Sequence, residues 1–388
     1  MTPVAILLTL VSLSLAAPQQ SPLPDPLPLK LEVVSPLPTD YVTGTVTIEA
    51  RLVPLAAERR IARMLFFADG SIVCTVTRRP FICTWNAGPA IRARQVRVVA
   101  ELQDDTRRVH TFWTKGIEQS ESSSVTAVQV PTTVKNGSGQ FVRGLRPADF
   151  AIFEAGVQQK VSGFAAETTD VTLVLAVDTS SSMEKSIDAV KEQVKEFLAP
   201  VPAGWPTTLM SFDHAVYTFA RPGSSPDERE RAVDGLKAWG GTALYTAIVE
   251  AIRQVSDTIG RKAVVIFTDG DDRDSAIDAK EVRQAIERSD TAIYFVAAAD
   301  AARPGATLSL LEQLAEISGG RVVHARSKDA LREAFAEVRE EIQNQYLLTY
   351  VPAKLERPGT WRPLSVKVRC EGCRVRSRTG YRVAEPGR

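Results

Sequence analysis

The stretch from Val171 to Met183, VTLVLAVDTSSSM, constrains this chain more than any other. It opens as an apolar run rich in β-branched residues: Val171, Leu173, Val174, Leu175 and Val177. Such a run, ended by polar residues, predicts a strand buried on both faces, as in a parallel sheet. A helical pattern follows, with Ile187, Val190, Val194, Phe197 and Leu198 along one face. Between them, Asp178-Thr179-Ser180-Ser181-Ser182 sets one carboxylate and several hydroxyls at the carboxyl end of a central strand. Open α/β sheets bind their ligands at that edge.

The alternation continues from Thr169 to Gln345. Strands are predicted at 171–177, 207–212, 215–219, 263–268, 291–298 and 321–324. Helices are predicted at about 184–199, 226–237, 243–258, 278–288, 306–317 and 328–344. Strand alternating with helix predicts a doubly wound, Rossmann-like α/β sheet. Leu209–Phe219 reads as its one hairpin, giving an antiparallel edge strand. Two further junctions carry polar groups. Gly240-Gly241-Thr242 precedes a helical pattern of Leu244, Ile248, Ile252 and Val255, and the apolar strand Ala263–Thr268 ends in Asp269-Gly270.

Asp178, Ser180 and Ser182 match a D-x-S-x-S signature, and the segment resembles the von Willebrand factor A domain. The resemblance implies a metal-ion-dependent adhesion site made by three loops, the second bearing a Thr and the third an Asp. Thr242 and Asp269 stand in those positions, so the expected ligands are Asp178, Ser180, Ser182, Thr242 and Asp269. The chemistry agrees: carboxylate and hydroxyl oxygens are hard donors suited to Mg²⁺, Mn²⁺ or Ca²⁺. Two carboxylates against a divalent ion leave the site near neutrality, and neutral hydroxyls preserve its Lewis acidity for one outside carboxylate. The plainer reading is an Asp that caps a helix and serines that fill a turn.

The rest of the chain divides around this unit. At 388 residues there is room for two or three domains. A net charge of +1 gives no electrostatic case for nucleic acid. Residues 1–16 read as a signal peptide, with an apolar core from Val4 to Leu15 and cleavage after Ala16. Residues 17–29 read as a Pro-rich linker. No later run is apolar enough to span a bilayer. Over residues 30–115, regular short strands predict a small Ig-like β-sandwich.

Four cysteines in an exported chain predict disulfides. Ser71–Trp85 reads as a hairpin turning at Arg78-Arg79. That register makes Cys74 and Cys83 direct cross-strand neighbours on a buried face. Cys370-Glu371-Gly372-Cys373 reads as a second hairpin turn, with Val368 facing Val375 and Cys370 facing Cys373. The expected bonds are Cys74–Cys83 and Cys370–Cys373. A zinc or redox role for the second pair is the alternative, with no further Cys pair to complete a zinc site.

Residues 116–168 form a β segment with a hairpin turning at Ala155-Gly156. Asp149, Phe150, Phe153, Glu154, Gly156 and Gln159 resemble the segment that precedes the A domain in bacterial von Willebrand factor A-related proteins. Residues 346–388 form a C-terminal β segment, where Gln345, Tyr346, Leu348, Tyr350, Pro352, Gly380 and Tyr381 resemble the close of the same group. Arg369, Arg374, Arg376, Arg378 and Arg382 make this end basic, which suits either an edge strand blunted by charge or an anionic partner.

The leading expectation is an exported, divalent-cation-dependent binding protein of the adhesion type. It would lie in the periplasm or outside the cell and capture a carboxylate of a protein partner. A second reading is a cell-envelope scaffold whose metal only stabilises a loop. A third is a Mg²⁺-dependent hydrolase or phosphotransferase built on Asp178. Such transferases need a second Asp two residues on, where Ser180 stands, and no Ser–His–Asp or Cys–His set is in order. A non-enzyme is therefore expected.

Overall fold

The computed structural model describes residues 29–88, 93–116, 127–256, 258–269, 271–298, 305–354 and 356–383. The stretch read as a signal peptide, 1–16, and the stretch read as a linker, up to residue 28, lie outside the described residues. Among those described, no helix is long and apolar enough to cross a membrane.

Seven strands come first: β1 (Lys30–Ser35), β2 (Thr45–Val53), β3 (Ile61–Ala68), β4 (Ser71–Val76), β5 (Ile82–Asn86), β6 (Gln95–Leu102) and β7 (Arg107–Trp113). They make two facing sheets, β1-β2-β5 and β4-β3-β6-β7. Alternate residues point inward from each. Ile48, Ala50 and Leu52 of one sheet meet Met64, Phe66, Val96, Val98 and Ala100 of the other. The Cys74–Cys83 bond is present, with a Cα separation of 5.9 Å. The predicted hairpin is not. Cys74 pairs with Phe66 on β3, and Cys83 pairs with Ile48 on β2. The chain arches from one sheet to the other, so the disulfide crosses the core between sheets. Alternation had placed both sulfurs inward, and inward is equally the direction of a facing sheet.

Four strands follow: β8 (Val128–Lys135), β9 (Phe150–Glu154), β10 (Val157–Gln159) and β11 (Val161–Ala165). The β9–β10 hairpin turns where predicted, with Glu154 opposite Val157 and φ of 46° at Ala155 and 81° at Gly156.

The α/β unit then runs β12 (Val171–Asp178), α1 (Ile187–Leu198), β13 (Thr207–Phe212), β14 (Val216–Ala220), α2 (Pro226–Asp234), α3 (Leu244–Ser256), β15 (Arg261–Thr268), α4 (Ala279–Arg288), β16 (Ala292–Ala298), α5 (Ala306–Ser318), β17 (Val322–Ala325) and α6 (Lys328–Gln343). Its strands lie in the order β17-β16-β15-β12-β13-β14, parallel except for the β13–β14 hairpin. The sheet has an apolar core on each face. Leu173, Leu175 and Val177 face Val190, Val194, Phe335 and Val338 of α1 and α6. Val174, Ala176, Val264 and Ile266 face Leu244, Ile248, Ile286 and Leu311 of α3, α4 and α5. Two-sided burial is why the strand sequences are continuous apolar runs. β14 is not the edge strand predicted. β4 lies beside it through a Thr218–Ser71 bridge, and one ten-stranded sheet passes from the α/β unit into the first sandwich.

The last strands are β18 (Tyr346–Tyr350), β19 (Trp361–Val368), β20 (Arg374–Ser377) and β21 (Gly380–Arg382). They pair with those that precede the α/β unit, giving sheets β11-β18-β8-β20 and β10-β9-β19-β21 around a shared core of Val130, Ile152, Tyr346 and Leu348. Cys370 and Cys373 are bonded, with Cα atoms 5.4 Å apart. Here too the predicted hairpin register fails, because β19 pairs with β9 and β20 with β8. Three of the five basic residues of this end are turned inward, while Arg369 and Arg374 are exposed. Arg376 pairs with Glu341 of α6, and Arg382 with Glu287 of α4. Arg378 is buried and donates to the carbonyls of Gly380, Gln129 and Glu287.

Candidate metal centre

β12 and β15 are adjacent although far apart in sequence. The chain leaves β12 toward β13 and β14, then returns to place β15 on the other side of β12. The carboxyl edge at such a switch point opens into a crevice. Register sets what lines it. Val177 lies opposite Phe267, so Asp178 emerges beside Thr268, with Asp269 one residue further.

Asp178 is fully buried. Its Oδ1 accepts the Ser180 backbone N–H at 2.9 Å, and its Oδ2 accepts the Thr268 hydroxyl at 2.8 Å. The Ser180 and Ser182 hydroxyls lie 2.8 Å apart, and Ser182 Oγ donates to Asp269 Oδ1 at 2.9 Å. Asp178, Ser180, Ser182 and Asp269 thus belong to one hydrogen-bonded cluster. Burial pushes the Asp178 carboxyl up to about 6; the Ser180 and Thr268 hydrogen bonds oppose this, and the Asp269 carboxylate adds to it.

Thr242 is placed by its backbone. The Ser181 N–H donates to Gly240 O at 2.9 Å, and the Trp239 N–H to Thr179 O at 2.7 Å, tying its loop to the first loop. Asp274 Oδ2 accepts the Thr242 N–H at 2.8 Å. The Thr242 carbonyl accepts from the Arg273 and Asp274 N–H groups at 2.9 and 3.1 Å. Both glycines are required here. Gly240 has φ +77°, and a Cβ at Gly241 would sit 1.7 Å from Asp274 Oδ2.

Sequence reasoning missed Thr268, Asp272, Asp274 and Ser275. Asp272 Oδ1 accepts the Tyr245 N–H and Ser275 Oγ the Thr246 N–H, both at 2.9 Å. These are first-turn donors of α3, which a helix cannot satisfy internally. The one available signal was the density of acids in Asp269–Asp274. Its target lies some thirty residues back, so no local pattern reports the contact. Among the described residues, no three or more His, Cys, Asp or Glu side chains converge as a metal site. The cluster here has two carboxylates, and hydroxyls supply the rest.

Residues 173–271 match the family model of the von Willebrand factor type A domain. No curated protein matches the sequence. Among solved structures, a von Willebrand factor type A protein from Catenulispora acidiphila is 15% identical, with a TM-score of 0.41 over 68% of this chain and 76% of that one. Proximal thread matrix protein 1 from the mussel byssus is 17% identical, with a TM-score of 0.38 over 44% of this chain; the match spans 47% of the mussel chain, under half its length. Another structure of the mussel protein has a zinc-occupied MIDAS motif. An aerotolerance-related membrane protein from Bacteroides fragilis is 16% identical, with a TM-score of 0.37 over 44% of this chain and 98% of its own. Asp178 and Asp269, at the carboxyl ends of β12 and β15, both lie within the stretch 173–271 that matches the family model, so the chain carries a von Willebrand factor type A domain.

Proposed function

We propose that this protein binds a divalent cation through Asp178, Ser180, Ser182, Thr242 and Asp269, and that the cation captures a carboxylate from a protein partner. The observation that carries the reading is the buried Asp178 carboxylate at the head of an all-oxygen cluster. The donor set fits a hard ion: Mg²⁺, Mn²⁺ or Ca²⁺. A buried carboxylate with its pKa raised by burial lacks a compensating charge, and a cation supplies one. When bound, the ion offers a Lewis-acidic position to an anionic oxygen. The chain's own residues do the holding: Thr268 orients Asp178, Ser182 orients Asp269, and Asp274 fixes the Thr242 loop.

Binding, not catalysis, is the activity proposed. Ser180 stands where an aspartyl phosphotransferase would carry its second Asp. Export fits the two disulfides, which persist in oxidising compartments.

Calorimetric titration of Mg²⁺ and Mn²⁺ into wild type, Asp178→Ala and Asp269→Ala tests the site. Each variant is expected to lose roughly a hundredfold or more in affinity and to stay folded, because the apolar area of β12 and β15 lies outside the loops. Wild-type affinity in both variants would sink the assignment. A pull-down from the native cell envelope with Mg²⁺ or EDTA, using wild type and Asp178→Ala, tests the partner. Capture indifferent to EDTA and to the substitution would favour the envelope scaffold, in which the Ser180–Ser182–Asp269 bonds serve only to join the loops.

A further inference from the structure

We propose that Arg97, a residue of the first sandwich, is a positioning residue for the Thr242 loop, so that the sandwich sets the cation affinity of the A domain. The proposal rests on the metal reading above.

Arg97 lies in the middle of β6, between Val96 and Val98, which face the sandwich core. It therefore points the other way, toward the A domain, and only 1% of it is exposed. Its guanidinium lies over the rings of Tyr217, at 4.2 Å, and Phe67, at 5.7 Å. Nη2 donates to the Tyr217 hydroxyl and lies 3.4 Å from His214 Nε2. Nε and Nη1 find no hydrogen-bond partner among the described residues. A buried guanidinium so thinly bonded is a poor device for stability. It is well suited to pressing on what it touches.

What it touches leads to the metal loop. Tyr217 is the second residue of β14, and Asp213 and His214 lie in the turn before that strand. Asp213 Oδ1 accepts the Ala215 N–H at 3.0 Å and lies 3.1 Å from His214 Nδ1. The Asp213 carbonyl accepts the Ala243 N–H at 2.5 Å, one residue past Thr242. His214 packs against Gly240 so closely that a Cβ there would lie 2.6 Å from Nδ1. Its ring also meets the edge of Trp239 at 4.6 Å. A second sandwich residue, Arg107, lies over that Trp239 ring at 4.6 Å. Residues 239–243 are thus gripped from one side by the first metal loop, through Ser181 and Thr179, and from the other by Arg107 on Trp239 and, through His214, by Arg97. None of these sandwich groups is a proposed ligand, yet they decide where Thr242 stands.

The test compares full-length wild type, Arg97→Met and Arg97→Lys by two measurements. Hydrogen–deuterium exchange without metal reads the loop itself. Arg97→Met is expected to speed exchange across 239–243 and to leave 171–177 unchanged. Calorimetry reads the consequence: Mn²⁺ affinity is expected to fall about tenfold in Arg97→Met, as for other groups behind a ligand shell. Arg97→Lys, which keeps the charge, is expected to recover part of that loss. Unchanged exchange at 239–243 in folded Arg97→Met overturns the proposal, and so does faster exchange with unaltered Mn²⁺ affinity. If Arg97→Met fails to fold, Arg107→Ala, which removes the clamp on Trp239, takes its place under the same criteria. A wild type that binds no Mn²⁺ would refute the metal reading, and the exchange comparison alone would then decide whether Arg97 holds the loop.

Discussion

The A domain and the two sandwiches that flank it use the same strand-forming residues but encode their topology differently. In the A domain the central strands β12, β15 and β16 are continuous apolar runs, each followed by a helix. A helical crossover returns the next strand parallel and on a fixed hand, so local pattern carries long-range arrangement. In the sandwiches the strands alternate, and among the described residues no crossover α-helix between successive strands fixes their pairing. Alternation says which side chains face inward, but not whether the chain turns within a sheet or arches to the opposite one. Both cysteine pairs sit at arches of that second kind. Covalent proximity in sequence was a good guide to bonding and a poor guide to pairing.

The contrast can be tested hardest at Glu154, the buried carboxylate of the second sandwich. It accepts from the Tyr350 and Tyr381 hydroxyls and from Arg362, at 2.9, 2.6 and 2.9 Å. These bind together β9, β18, β19 and β21, strands from both sides of the A domain. Burial alone would raise its pKa, but Arg362 and the two tyrosines outweigh that and hold the carboxyl below its usual range. Glu154→Gln leaves Arg362 facing a neutral amide and is expected to cost about 3 kcal/mol. The folded pKa lies below the unfolded one, so the stabilisation is complete above about pH 4.5 and drains away as pH falls through the folded value. Thermal melts of wild type and Glu154→Gln should therefore converge in acid. A difference that stays constant down to pH 3 would remove Glu154 from this role.

Next in size is the inter-sheet bond of the first sandwich. Replacing Cys74 and Cys83 together by Ser frees a loop of sequence separation 9 and is expected to cost about 2.5 kcal/mol in denaturant unfolding. The Cys370–Cys373 bond, of separation 3, is expected to contribute less, about 1.5 kcal/mol. Nuclear Overhauser contacts of residue 74 with Phe66, and of residue 83 with Ile48, should survive in the first variant. Contacts showing residue 74 paired in-plane with residue 83 would erase the distinction between arch and hairpin.

The smallest expected effect is at a hairpin that was legible. Gly156 closes the β9–β10 turn at φ 81°, and Gly156→Ala should lower stability by about 1 kcal/mol through strain in that turn alone. A loss as large as that of Glu154→Gln would mean that the turn also governs how the two sheets pack.

Legibility followed the range of the interaction. The six strands and six helices of the A domain, the Ala155-Gly156 turn and the carboxyl-edge position of Asp178 and Asp269 are written in continuous runs of 16 residues or fewer. For them the burial pattern of a strand, or the end of an apolar run, suffices. Thr242 was marked by a Gly-Gly pair, whose reasons are the positive φ at Gly240 and the carboxylate against Gly241. Asp274 and Thr268, which hold the neighbours of the site, left no such mark.

The sequence by itself determined the doubly wound unit, its carboxyl-edge loops and which cysteines bond, because each depends on periodicity or on groups a few residues apart. Only the tertiary structure decided that the strands on either side of the A domain share one pair of sheets, and that the first sandwich continues the central sheet beyond β14. It also turned Arg376, Arg378 and Arg382 of the C-terminal end inward, onto Glu341, Glu287 and backbone carbonyls. Those outcomes depend on which surfaces meet between segments 35 to 249 residues apart in the chain. A strand's own pattern specifies that it must be paired and which face is buried, and leaves the choice of partner to the assembled fold.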